Sequence, residues 1–282
     1  MLTVLLALGS ALMYGLSDFL GGYLSRRTSV WAVAIVTQGA AVVAIGLTTA
    51  LVGGDPTNAD WTWGAVAGVG AGIGTAFLYR GLAGGRMGVV APLSAVGSAL
   101  LPVSVGVITG ERPPLIVWSG IALAFPAIWL IARSSESTDA AGAAGRLNAG
   151  VIDGLLAGLG FGLMFSALGQ VPDSAGFAPL AASEAVSIPV IIGLALVMRQ
   201  PWIPHDRASL GGVVVGALAA AAAVLFLLAS QAGLLTVASV LSSLYPAFTV
   251  LLAAVLLRER VHRSQGIGLA LAVGAVAMVA AG

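Results

Sequence analysis

The chain has 282 residues, 59% of them hydrophobic and only 8% charged, with a mean hydropathy of +1.05. That is too little polar surface to cover a water-soluble globule of this length, so the composition indicates an integral membrane protein. All 12 basic residues are arginine, the net charge is +1 and cysteine is absent, which excludes the basic excess of a nucleic-acid binder, disulfides, thiolate metal sites and cysteine nucleophiles.

In chain order, the first apolar run is Thr3 to Gly22. It lacks both a basic leader and a small-residue cleavage site, so it is expected to be retained as a span. Trp31 to Val52, Trp61 to Tyr79, Val89 to Thr109 and Pro114 to Ile131 follow, each close to the roughly 20 residues of helix that cross a hydrocarbon core. A polar, Gly/Ala-rich stretch from Arg133 to Arg146 reads as a linker. Five further runs come after it: Leu147 to Leu168, Ala178 to Met198, Leu210 to Ser230, Ala238 to Leu257 and Gly266 to Ala281. The expected fold is therefore an all-α membrane protein with ten spans, residues 1–132 and 147–282 forming two five-helix units around the linker 133–146.

The two units repeat one another. Laid over the later stretch ASVLSSLYPAFTVLLAAVLLRERVHRSQGIGLALAVGAVAMVAA, the earlier VAPLSAVGSALLPVSVGVITGERPPLIVWSGIALAFPAIWLIA sets Glu111 on Glu259, Arg112 on Arg260 and Gly120 on Gly268. Arginine placement orients them. Loops after the odd-numbered spans hold Arg26, Arg27, Arg80, Arg86, Arg133, Arg146, Arg199, Arg207, Arg258, Arg260 and Arg263, leaving Arg112 for the other side. By the positive-inside rule the rich side is cytoplasmic and both termini are extracytoplasmic. Because the basic turns follow non-equivalent spans in the two halves, the repeats are expected to have inverted topology, an architecture common in secondary transporters.

LYPAFTVLLAAVLLRERVHRSQGIGLALAVGAV resembles the terminal motif of EamA-type proteins of the drug/metabolite transporter superfamily. YGLSDFLGG, at Tyr14 to Gly22, is similar to the opening of that family's first helix, and GERPPLIVWSGIALA, from Gly110, to its repeated Glu-turn-Gly element. The resemblance implies a bacterial inner-membrane carrier that moves small metabolites, amino acids or drug-like molecules, usually outward, through a cavity between the repeats. Cargo does not follow from it. Two departures concern helix bending: Pro126 stands where the second copy has Gly274, and Ser98 where it has Pro246, with Pro102 one turn later.

Polar side chains within spans carry the functional reading, because a charge in hydrocarbon must be shielded or used. Glu184, flanked on one helical face by Ser183 and Ser187, is the candidate proton-coupling group; a hydrogen bond to a neighbouring helix is the structural alternative. Asp18 shares a face with Tyr14 and Ser17. It either lines the cavity or forms an ion pair with Arg80. Gln38 falls near the position equivalent to Glu184 and suits a second, unlike half-site or an interhelical hydrogen bond. Ser98 beside Ser94, and Ser242 beside Ser239 and Ser243, set hydroxyls next to prolines, as substrate lining or as close-packing surface. Tyr245 and Tyr79 fit either a cavity wall or an interfacial position.

Kinks are expected at Pro92, Pro102, Pro189 and Pro246, giving the helices freedom to bend. Glu111 and Glu259, at helix ends beside arginine, read as structural caps. The glycine spacings of Gly68 to Gly74, Gly158 to Gly162 and Gly212 to Gly216 read as helix-packing faces. His205 and His262 lie in loops, and no HExxH, Walker or nucleotide-binding fingerprint occurs, so neither an enzyme nor an ATP-driven pump is indicated and no cofactor or metal is expected. Alternating access by a carrier is the leading expectation, with a small molecule, protons and the bilayer as partners. An uptake carrier, a facilitator or a non-transporting sensor or assembly subunit is the alternative.

Overall fold

The computed structural model describes residues 1–84, 87–132, 143–256 and 262–282. Glu259, most of the expected linker and the side chain of Pro92 lie outside the described residues. The first half contains α1 (Leu2–Ser25), α2 (Val30–Val52), α3 (Asn58–Ala83), α4 (Met87–Ile108) and α5 (Leu115–Ala132). The second contains α6 (Ala143–Leu168), α7 (Ala178–Val197), α8 (Gly212–Gln231), α9 (Leu235–Ser242), α10 (Tyr245–Leu256) and α11 (Arg263–Ala281), with short 3-10 turns at Asp173–Ala175 and Ser209–Gly211. Seven of these helices are long and apolar enough to cross a membrane; Leu93–Ile108, Leu115–Ile131 and Leu235–Thr249 are shorter apolar pieces. The protein is a multi-pass membrane protein.

Local sequence sets the boundaries. Thr57 and Asp60 form a reciprocal capping box at the start of α3, and Ser29 accepts the Ala32 amide at the start of α2. Pro179 occupies the first turn of α7, where a missing N–H costs nothing. Between α2 and α3 the chain turns on Gly53 and Gly54, both with positive φ, against Gly176, whose own Cβ would stand 2.2 Å from the Gly53 carbonyl. Asp55 N–H donates to the Ser174 carbonyl there (2.9 Å) and ties the two turns together.

One expected helix is divided. The apolar run from Ala238 to Leu257 was expected as a single helix bent at Pro246, but the chain breaks at Ser243 and Leu244 into α9 and α10. Proline in a helix interior removes a hydrogen bond and crowds the carbonyl four residues earlier; as the second residue of α10, Pro246 avoids both penalties. By contrast α4 runs through Pro92 and Pro102, α5 through Pro126 and α7 through Pro189.

Helix packing follows a regular scheme. α1 packs on α8, α9 and α10, while α6 packs on α3 and α4; α3 lies along α7, and α2 along α8. α2 also meets α7, α4 meets α9, and α5 meets α11. Where hydrocarbon supplies no hydrophobic drive between helices, small residues let backbones approach and gain dispersion contacts. Gly70 and Gly74 on α3 interlock with Gly160 on α6, where an added Cβ on Gly160 would meet the Gly74 nitrogen at 2.4 Å. Gly216 on α8 sits equally close to α2, 2.2 Å from the Thr37 carbonyl on the same measure.

Candidate functional site

Three polar centres occupy the interior. The first joins α2 to α7. Gln38 Nε2 donates to Glu184 Oε2 (2.7 Å) and to Ser187 Oγ (2.6 Å), and Ser187 Oγ donates to the Glu184 carbonyl (2.6 Å). Both Gln38 and Glu184 are buried. Repetition of the sequence sets these two residues near equivalent positions, and the fold brings them face to face.

The second centre surrounds a small cavity lined by Tyr14 and Asp18 of α1, Phe161 and Phe165 of α6, and Tyr245 of α10. Tyr14 and Phe165 meet tilted, ring centroids 5.8 Å apart, and Phe165 stacks on Phe226 of α8 at 4.2 Å. Ser94 of α4 and the Tyr245 hydroxyl are hydrogen-bonded at 3.0 Å, which orients the phenol from outside the cavity. Asp18 lies near enough to act electrostatically on the hydroxyls of Tyr14, Tyr79 and Tyr245, and Glu184 also acts on Tyr14. Tyr14 therefore sits in the field of both carboxylates.

The third centre is an ion pair between Arg80 at the end of α3 and Asp153 of α6, in which Arg80 Nε donates to Asp153 Oδ1 at 2.8 Å. Arg80 also stacks over the Phe77 ring, 4.5 Å from its centroid, and Nη1 lies 3.1 Å from Met198 Sδ. The sequence offered Asp18 as the partner of Arg80. Asp153, on the helix packed against α3, takes that place instead and leaves Asp18 to the cavity.

The remaining candidates have structural neighbours. Ser98 Oγ pairs with Ser243 Oγ (2.9 Å), Ser242 Oγ donates to the Ala7 carbonyl (3.4 Å) and Ser17 Oγ to the Val215 carbonyl (3.3 Å). All three serines are buried at helix contacts rather than on the cavity wall. The carboxylate of Glu111 accepts from the Leu235 and Thr236 amides (2.5 and 3.0 Å), capping the start of α9. Sequence reading passed over Phe161, Phe165 and Asp153. The signal was present: two phenylalanines one turn apart, and an acid inside an apolar span.

At the cytoplasmic turns expected from the arginine bias, Asp206 accepts from the Thr28 hydroxyl and the Ser209 amide (2.7 Å), while the Ser29 hydroxyl donates to the Pro201 carbonyl. The Thr28 bond and then the Ser209 amide hold the exposed Asp206 carboxyl below its ordinary range.

Known proteins fit this picture. Among 21 chains of solved structures that match, one crystal structure, described simply as that of a protein, superposes with a TM-score of 0.71 at 17% identity, covering 98% of this chain and 94% of its own. At that identity the likeness concerns the fold. A search of curated proteins gives no match. The EamA-like transporter family matches twice, over residues 1–133 and again over 148–281, one match for each half of the duplicated sequence. The chain belongs to the EamA-like transporter family.

Proposed function

We propose that the protein is a secondary transporter of small organic molecules, in which ten spans form two inverted five-helix repeats that rock about a shared central site. The observation that carries this reading is the Asp18 cavity: its walls come from α1 of the first half and from α6 and α10 of the second. Relative motion of the halves reshapes such a site directly. The packing scheme supports it, since exchanging each helix for its counterpart in the other half turns the α1 contacts with α8, α9 and α10 into the α6 contacts with α3 and α4. Division of the ninth span supports it too, because broken helices in transporters place free backbone groups near the site. Outward transport across the bacterial inner membrane, with cytoplasmic arginine-rich turns, rests on the family resemblance and the arginine bias.

Glu184 is the proposed coupling group. It is a buried carboxylate on a helix interface, held by Gln38 and sharing Tyr14 with Asp18 through the electrostatic field. Taking up a proton removes its charge and changes the balance with Asp18, which links protonation to occupancy of the cavity. Proteoliposomes under an imposed pH gradient test this, with a panel of amines, amino acids and organic acids. Wild type is expected to show proton flux evoked by its substrate and Glu184→Gln to lose that flux while retaining substrate exchange. Unchanged pH dependence in the variant would remove Glu184 from the mechanism.

A further inference from the structure

We propose that the Asp18 cavity is a binding site for a small organic monocation, an ammonium or guanidinium group carried on an apolar or aromatic body. The carrier reading makes this cation the cargo, so the inference rests on that reading for its transport role but not for binding.

Charge balance leads there. Among the described residues, Asp18 makes no hydrogen bond or ion pair. The titratable groups around it are phenols and acids: Tyr14 on its own helix, Tyr79 from α3, Tyr245 from α10 and, through Tyr14, Glu184 from α7. Helices α2, α8 and α9 contain no charged or titratable residue. Lysine is absent from the chain, and Arg80, the arginine reaching inward from α3, is committed to Asp153. A carboxylate so placed needs a positive charge from outside, either a proton or a ligand.

The walls select between these. Tyr14, Phe161, Phe165 and Tyr245 surround Asp18 with rings, and a ring face attracts a cation that has shed its water. An anion meets Asp18 and Glu184 unfavourably. Zwitterionic amino acids bring a carboxylate for which no described cationic side chain lines the cavity, so the site discriminates an amine from the amino acid of the same skeleton.

Titration calorimetry on the purified full chain in detergent, corrected for protein-free micelles, tests this with phenethylamine, benzyltrimethylammonium, phenylalanine and phenylacetate. Both cations are expected to bind saturably at one site, with phenylalanine and phenylacetate at least about tenfold weaker. Asp18→Asn is expected to weaken the cations about tenfold or more, Asp18→Glu to restore part of that loss, and Tyr14→Leu to weaken them several-fold. Equal binding of phenylalanine, or cation affinity unchanged in both Asp18→Asn and Tyr14→Leu, overturns the proposal. Proteoliposome flux separates the two readings: cation binding without flux keeps the site and defeats the carrier, whereas flux of another solute class with no cation binding defeats the site alone.

Discussion

Gln38 and Glu184 form one hydrogen-bonded unit, with Gln38 Nε2 2.7 Å from Glu184 Oε2 across the α2–α7 contact. Repetition put an amide and an acid at nearby positions of the two halves, and pairing them satisfies two polar groups that would each be costly alone in a buried interface. Replacing Gln38 with Leu removes the donor to both Glu184 and Ser187. We expect a loss of about 1–3 kcal/mol of stability, read as a lowered denaturation midpoint in detergent. The exchanged pair, Gln38→Glu with Glu184→Gln, is expected to recover most of that loss because donor and acceptor trade places.

The Arg80–Asp153 pair joins α3 to α6, with the Asp153 side chain fully buried and that of Arg80 25% exposed. Removing either partner takes a charge-assisted hydrogen bond from a buried contact. Arg80→Gln is expected to cost about 3 kcal/mol, the low end for a buried pair because Arg80 keeps some contact with solvent. Arg80→Gln with Asp153→Asn is expected to be more stable than either single variant. Midpoints from the four proteins of this double-mutant cycle give the coupling directly.

Glycine positions divide into two kinds. At Gly216 an added Cβ would stand 2.2 Å from the Thr37 carbonyl, whereas at Gly39 and Gly193 nothing lies within 4 Å. Gly216→Ala is expected to force α2 and α8 apart and destabilise by about 1–3 kcal/mol. Gly39→Ala is expected to be neutral, or to stabilise by up to about 1 kcal/mol through helix propensity. Thermal unfolding of the two variants in the same detergent makes the comparison.

Much of the fold was legible because hydrocarbon imposes a simple code. Long apolar runs and glycine spacing give helices and packing faces before any contact is known. The break at Ser243 and Leu244 was not legible, since a proline in an apolar run bends or divides a helix according to which neighbours can satisfy the freed carbonyls. Partners were harder still. Sequence offered Asp18 as a partner for Arg80, and the packing of α3 on α6 brings Asp153 to it instead.

Asp206 gives a pH signature outside the membrane. Its folded carboxyl is held below the unfolded value, so its contribution to joining the α1–α2 turn to the α7–α8 loop is complete above the unfolded value and is lost as pH falls through the folded one. Hydrogen exchange at the Ser209 amide, compared between wild type and Asp206→Asn, is expected to show stronger protection in wild type near neutrality. In acid the difference is expected to vanish.

Alternating access at the Asp18 cavity can be tested on a background that already lacks cysteine. Phe161→Cys places one thiol on the cavity wall, and a membrane-impermeant thiol reagent is then applied from either side of oriented vesicles. A carrier predicts labelling from both sides, with a substrate gradient shifting the ratio between them. Labelling confined to one side whatever the gradient, in folded protein, contradicts a site that is exposed to each side in turn.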